Sequence, residues 1–372
     1  MKILRPVAAV LKVLLGVLFL ISAVSKFITV DAFEIYVYSF GFFGLTFSYY
    51  VARIVIVLEL ILGAALISNR HHRFTMLMSI LFLLCFVLFL SYAHFSGRTD
   101  NCHCFGDLMP FGPLQSILKN AVLVLLLLFV FRYQPVEWAP RWWLVIIVYL
   151  LTGILMLLYM ELSLHIIDTY SLVLLFVMMC VGVLVTFPFY SKWFVTLPLL
   201  LTPLVTVFIL TPPDSWFFTG PIESYDKDLF YDQLAAETTD TVVADTVPSG
   251  TLASYGLGDG HRMVAFFSPG CGYCRLAAEK VATIVRRCQF DSTAVLYVFP
   301  EVKDTSRYAD FYEETRSPQV PKAVVPKAVF LKITRGAFPL ILMLEDGEVV
   351  TSYSYRNIDE KGICSFMKHI EN

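Results

Sequence analysis

Two pairs of cysteines have the spacing that thiol chemistry needs. The first is Cys271-Gly272-Tyr273-Cys274, which follows the apolar run Val264-Ala-Phe-Phe and precedes the amphipathic stretch Arg275-Leu-Ala-Ala-Glu-Lys280. Such an order predicts a strand, a tight turn, a dithiol and a helix. A cysteine at a helix start meets unpaired backbone N–H groups and the positive end of the helix dipole, both of which favour thiolate over thiol. The second sulfur, three residues on, lies one turn away and can resolve a mixed disulfide. The other pair is Cys102-His103-Cys104 in Gly97-Arg-Thr-Asp-Asn-Cys-His-Cys-Phe-Gly106. A disulfide across one intervening residue closes a small strained ring, and strained disulfides are readily reduced. The pair could also bind a metal through Cys102, His103 and Cys104 with help from His94, or be structural.

A lone Cys-x-x-Cys can be half a zinc site, but no second such pair or His pair follows Cys274 at suitable spacing, so redox chemistry is the expected role. Further on, Gly336-Ala-Phe-Pro339 precedes the apolar strand 340–344. Glu345-Asp346-Gly347-Glu348 turns into another strand ending near Tyr355, and a helix is expected over about 359–370. In this order the segment from about 245 to 372 resembles the thioredoxin superfamily. The resemblance implies that Pro339 is a cis-proline facing the dithiol, that Cys271 attacks and that Cys274 resolves. Two departures stand out. Gly270 occupies the place of the usual Trp, and Ala265 that of the buried carboxylate. The Gly-Tyr dipeptide is more similar to bacterial disulfide isomerases than to reducing thioredoxins.

The elements that must position these pairs divide the chain. Of its 372 residues 58% are hydrophobic and only 16% charged, against about a quarter charged in soluble proteins. The apolar excess falls in the first 211 residues, where seven runs can cross a hydrocarbon core of ~30 Å: about 7–28, 49–67, 73–95, 114–131, 142–160, 170–189 and 193–211. Pro188, Pro198 and Pro203 interrupt the last two. The first run is longer than a signal-peptide core and is read as a span. A net charge of −2 gives no reason to expect nucleic acid as a partner.

Basic residues mark alternate connections: Lys2 and Arg5, Arg70 and Arg73, Arg132 and Arg141, then Lys192. By the positive-inside rule these are cytoplasmic, so the loop with Cys102 and Cys104 and everything after about residue 211 lie outside the cytoplasm. The expected location is the bacterial cytoplasmic membrane, multi-pass, with an extracytoplasmic C-terminal domain in a compartment where disulfides persist.

Lys26 late in span one, Glu59 inside span two and the Cys-x-Cys-Phe-Gly loop together make residues 1–132 resemble the methylamine-utilisation MauE branch of the DoxX-like membrane proteins. The resemblance implies a four-helix bundle with an outward-facing loop, at times fused to a thioredoxin-like domain. The expected organisation is therefore an α-helical integral membrane bundle over 1–132, further transmembrane helices over 133–211, a linker over 212–250 and an α/β thioredoxin-like domain over 251–372.

Other residues carry weaker signals. Glu59 falls near mid-membrane, so it must be paired, protonated or facing protein. It reads first as an interhelical hydrogen-bonding group, with a proton-carrying or quinone-contact role as the alternative. Lys26 can snorkel and Arg53 lies nearer the outer surface. Cys85 and Cys180, inside spans three and six, read as packing residues rather than a transmembrane relay. Cys288 and Cys364 sit on helices that share a sheet face in thioredoxin-like folds, and are either a structural disulfide or buried thiols.

The function expected from these residues is thiol–disulfide exchange among the Cys271/Cys274 pair, the Cys102/Cys104 pair and exported client proteins, in the client-oxidising direction. No cofactor follows with certainty from the motifs. The terminal electron acceptor stays open: a membrane quinone is one candidate, but membrane oxidases that feed quinone generally need a second cysteine pair close to it, and the sequence shows none. The competing class is a non-enzymatic membrane assembly factor or metal-binding scaffold. Transport gains little from the sequence, which shows no broken-helix repeat.

Overall fold

The structure is a computed structural model that describes residues 4–68, 72–96, 112–133, 201, 203–218, 220–222, 225–233, 256–317 and 320–368. Two compact units emerge: residues 1–36 with 49–212, and residues 37–48 with 213–372.

In the first unit, α1 (Leu4–Ile28), α3 (Leu45–Ser68), α4 (His72–Phe95) and α5 (Pro113–Tyr133) are long and apolar enough to cross a membrane. They correspond to the first four expected spans. A short helix, α2 (Val30–Tyr38), follows α1. Leu15, Phe19, Leu62, Leu66, Met76, Leu83 and Leu127 form one buried cluster, while large apolar side chains such as Leu88 and Leu125 point outward. That arrangement suits helices solvated by lipid on one side and by each other on the other. Gly16 and Gly63 let α1 and α3 approach closely, since a Cβ on Gly16 would lie 2.9 Å from the Gly63 carbonyl oxygen. Residues 203–210 are helical, and Val207 packs with Ala23, Phe27 and Ile56. Apart from that stretch, expected spans five to seven lie outside the described residues, as do Cys102, Cys104 and Cys180.

Two charges expected near the bundle surface are buried instead. Lys26, 1% exposed, does not snorkel: its Nζ donates to Glu59 Oε1 and Oε2 at 2.8 and 3.0 Å and to Ser22 Oγ at 2.7 Å. Arg53 is also buried, donating to Glu34 Oε2 and to the Tyr49 carbonyl oxygen at 2.8 Å each. Both cations find carboxylates one helix away, which satisfies them without reaching for the lipid headgroups.

The second unit is built on a five-stranded mixed sheet. Its strands are β1 (His261–Phe266), β2 (Val295–Pro300), β3 (Lys322–Val325), β4 (Leu340–Glu345) and β5 (Glu348–Tyr353), in the order β3-β2-β1-β4-β5. The first three are parallel, while β4 and β5 form an antiparallel hairpin on β1. All six residues of β2 and five of six in β4 are buried, the near-continuous apolar pattern of strands covered on both faces. The hairpin turns at Asp346 and Gly347, both with positive φ, which suits the Asp-Gly dipeptide. The covering helices are α6 (Gly272–Cys288), α7 (Ser306–Thr315), α8 (Lys327–Thr334) and α9 (Glu360–Lys368). This is a thioredoxin-like arrangement. Cys288 and Cys364 form a disulfide that ties α6 to α9, with Cα atoms 5.7 Å apart.

The expected linker needs correction at its start, because residues 213–233 are part of this unit. Phe230 is fully buried against Phe266, Ile222 N–H donates to the Ser352 carbonyl oxygen at 2.7 Å, and Tyr231 Oη accepts from Val349 N–H at 2.6 Å. A segment with no helical or strand period is fixed here by a few aromatic anchors and by pairing along the edge of β5. Residues 234–255, the rest of the expected linker, lie outside the described residues. Residues 37–48 also join this unit: Arg287 donates to the Gly41 carbonyl oxygen at 3.0 Å and pairs with Glu360 at 2.8 Å, while Glu360 accepts from Leu45 N–H.

Candidate functional site: a dithiol at a helix start beside an aromatic groove

Strand β1 delivers the chain to Cys271, which is the N-cap residue of α6. Its extended backbone (φ −94°, ψ 118°) turns the sulfur towards the unpaired N–H groups of the first helical turn, and Sγ accepts from Cys274 N–H at 3.2 Å. Cys271 is half-buried, whereas Cys274 is fully buried. This difference splits the two thiols. The Cys274 thiol donates to the Cys271 sulfur, and with backbone N–H groups of Cys274 and Tyr273 and the nearby Arg275 it holds Cys271 down at about 6 from an ordinary 9.0, against the opposing effect of partial burial. Burial first, and then the neighbouring Cys271, drives Cys274 far upward. One sulfur is thus set to be a thiolate and its neighbour a protonated donor.

Phe338–Pro339 is a cis peptide bond immediately before β4. Pro339 and Tyr273, the residue between the cysteines, line a common groove with a volume of about 480 Å³. Sequence reasoning selected Pro339 but missed the other walls: Tyr225, Phe338, Tyr355, Arg335 and Arg356. Tyr225 and the neighbouring Ile222 come from the segment read as linker, which is why no motif pointed to them.

Behind the groove lies a buried ionic cluster that was also missed. Lys280 is fully buried on α6; its Nζ lies 3.9 Å from Asp214 Oδ2, donates to the Tyr355 carbonyl oxygen at 3.2 Å and sits 3.9 Å from the centre of the Tyr355 ring. The other face of this contact reaches the site, because the Tyr355 ring meets Tyr273 at 5.2 Å between centroids. The one signal available in the sequence is that Lys280 stands seven residues after Tyr273, on the same side of the helix. Ala265, where a buried carboxylate was noted to be lacking, is fully buried in the centre of β1 between Tyr297 and Ile341.

The remaining expected site residues separate into two groups. Glu59 belongs to the first unit, where it lies with Ser22, Lys26, Lys119, Asn120 and Phe86 around a cavity of about 30 Å³, room for one or two water molecules. Cys102 and Cys104 lie outside the described residues.

Fold and site define a thioredoxin-like dithiol domain carried by a chain with a helical membrane bundle. Residues 4–133 match the family described as methylamine utilisation protein MauE and form a MauE-like domain. The chain is 27% identical over 322 residues to the protein TlpB of Flavobacterium psychrophilum, with 82% of this chain and 79% of that protein covered. Similar solved structures include a secreted Mycobacterium tuberculosis disulfide oxidoreductase, at 11% identity over 32% of this chain and 85% of that one with a TM-score of 0.25. Another is the thioredoxin domain of a thiol-disulfide oxidoreductase from Bacteroides vulgatus, at 16% identity over 31% of this chain and 84% of that one, also with a TM-score of 0.25.

Proposed function

We propose that this protein is a membrane-bound thiol–disulfide oxidoreductase whose dithiol domain faces the extracytoplasmic side and exchanges disulfides with exported proteins. The observation that carries this reading is the split between a half-buried, thiolate-favouring Cys271 and a buried, protonated Cys274 on one helix turn. Cys271 is the group attacked or attacking, Cys274 is the sulfur that a client expels and, in the reverse direction, the one that resolves, and Pro339 borders the groove that receives an extended client segment. Stabilising the thiolate stabilises the reduced form, so the disulfide form is the better oxidant and electrons flow from client to domain. The Cys288–Cys364 disulfide supports an oxidising compartment, as does the distribution of basic residues along the spans. Electrons then pass from Cys271/Cys274 to the Cys102/Cys104 pair, which the same chain tethers at high effective concentration.

A disulfide trap tests this. The full-length Cys274→Ala protein is expressed in membranes, quenched with acid and alkylator, and its disulfides are mapped by mass spectrometry. A bond from Cys271 to Cys102 or Cys104, together with mixed disulfides to exported proteins, is the expected result. Cys271 bonded to neither, with activity in the cell unaffected by Cys271→Ser, would mean a scaffold or assembly factor instead.

A further inference from the structure

The groove beside the dithiol has a built interior. Tyr225, Tyr273, Phe338 and Tyr355 supply its aromatic surface. Three of these rings are held from behind. Tyr225 Oη donates to the Ile333 carbonyl oxygen at 3.3 Å, the Phe338 ring meets Phe330 at 5.5 Å, and Tyr355, 4% exposed, rests on Lys280. Tyr273, 45% exposed, is the outermost. Rings fixed before binding offer contact area with little further loss of side-chain freedom. The space of about 480 Å³ exceeds what an extended backbone strand alone would fill, and leaves room for a large side chain.

Among the described residues, the charges around it have one sign in excess: Arg335 and Arg356 both line the groove, against Asp226 as the one lining carboxylate. Arg335 pairs with Asp226 at 2.7 Å, and Arg356 lies 3.4 Å from the buried Asp214, which also faces Lys280. A cationic side chain entering here meets two guanidinium groups.

We propose that this groove is a specificity pocket that selects thiol clients carrying an aromatic side chain beside the reacting cysteine and rejects those with Lys or Arg at that place. The proposal rests on the thiol–disulfide exchange reading above. In that exchange a client thiolate attacks Cys271 of the Cys271–Cys274 disulfide, forming a mixed disulfide and expelling Cys274, which takes up a proton. The client's second thiolate then attacks the client sulfur of that bond and expels the Cys271 thiolate. Two electrons pass from client to domain, and the client leaves with a new disulfide. The aromatic contact is made while the mixed disulfide forms, so it acts on the rate with peptides.

The test uses the full-length protein in detergent micelles, oxidised at Cys271 and Cys274. Its reduction is followed with dithiol peptides identical except for Trp, Ala or Lys next to the first cysteine, and with dithiothreitol as a reagent too small to fill the groove. The Trp peptide is expected to react roughly 2- to 12-fold faster than the Ala peptide, the range that one aromatic pair provides. The Lys peptide is expected to be slower than the Ala peptide at low salt, with the gap closing as salt is added. Tyr273→Ala, at an exposed position that the fold tolerates, is expected to bring the Trp-to-Ala rate ratio down towards one, and Tyr355→Leu to do the same from the other wall. Equal rates for all three peptides while dithiothreitol still reduces the protein would overturn the specificity pocket alone. No reduction by dithiothreitol or by any peptide would overturn the exchange reading and this proposal with it.

Discussion

If Cys274 is the main group holding Cys271 as a thiolate, removing its sulfur must change how Cys271 responds to pH. With its pKa at about 6, Cys271 is roughly 90% thiolate at pH 7, whereas a thiol at the ordinary 9.0 is roughly 1% thiolate. Thiolate nucleophilicity falls with basicity, by a factor of roughly 20 over such a difference at a Brønsted slope near 0.45. The net advantage over an ordinary cysteine is therefore only about fourfold at pH 7, but about fortyfold at pH 5, where the ordinary thiol has almost no thiolate left. The assay is iodoacetamide labelling of the reduced full-length protein from pH 4 to 9, quantified on the Cys271 peptide by mass spectrometry so that other thiols do not interfere. The wild-type rate is expected to rise with a midpoint near 6. In Cys274→Ala the midpoint moves up towards 9.0, and the rate at pH 5 falls sharply, while Cys274→Ser, which keeps a hydroxyl donor, stays closer to wild type. The sign for stability follows from the same shift. A depressed pKa stabilises the reduced fold above the unfolded value near 9, and this gain is lost as pH falls through about 6. A wild-type midpoint at 8.5 or above, or an unchanged midpoint in Cys274→Ala, would refute the reasoning.

Two further outcomes test the two units separately. Phe230→Ala is expected to cost about 3–5 kcal/mol by opening a cavity against Phe266, read as a lower denaturation midpoint and faster proteolysis of the second unit; no loss would mean that residues 213–233 are dispensable to it. In the bundle, Lys26→Met strands Glu59 and is expected to cost about 3 kcal/mol, while Lys26→Met with Glu59→Leu recovers much of the loss, as measured by thermal stability in detergent. Simple additivity of the two substitutions would dissolve the pairing.

What the sequence made legible was local. The dithiol, its helix, the Asp-Gly hairpin and the first four spans are each written within 25 residues by period, charge or turn chemistry, and each stands where expected. Contacts between distant segments were not legible. Lys26 read as a snorkelling lysine because its partner is 33 residues away on another helix. Lys280 carried no signal of its own because nothing near it in the chain shows that Asp214 lies opposite, and the segment after Thr211 read as linker because two aromatic anchors leave no period. Even the pairing of Cys288 with Cys364 needed the fold, since residues 76 apart in sequence become neighbours only through the packing of α6 on α9.

The substitution of Ala265 for a buried carboxylate gives these contacts a chemical meaning. Reduction of a client, the reverse of the proposed exchange, requires the resolving cysteine to be deprotonated, and burial alone makes that costly for Cys274. With apolar Ala265 in the middle of β1, no carboxylate at that position lowers the cost. A mixed disulfide at Cys271 is then resolved more readily by a second client thiolate than by Cys274. In the same complex the Cys271 sulfur no longer carries the charge that the helix start and the Cys274 thiol stabilise, so expelling it as a thiolate regains those interactions. Both effects favour the direction proposed above, towards an oxidised client and a reduced domain. The buried charge that the domain does keep, Lys280 with Asp214, stands under the Tyr355 wall of the groove and holds that ring in place.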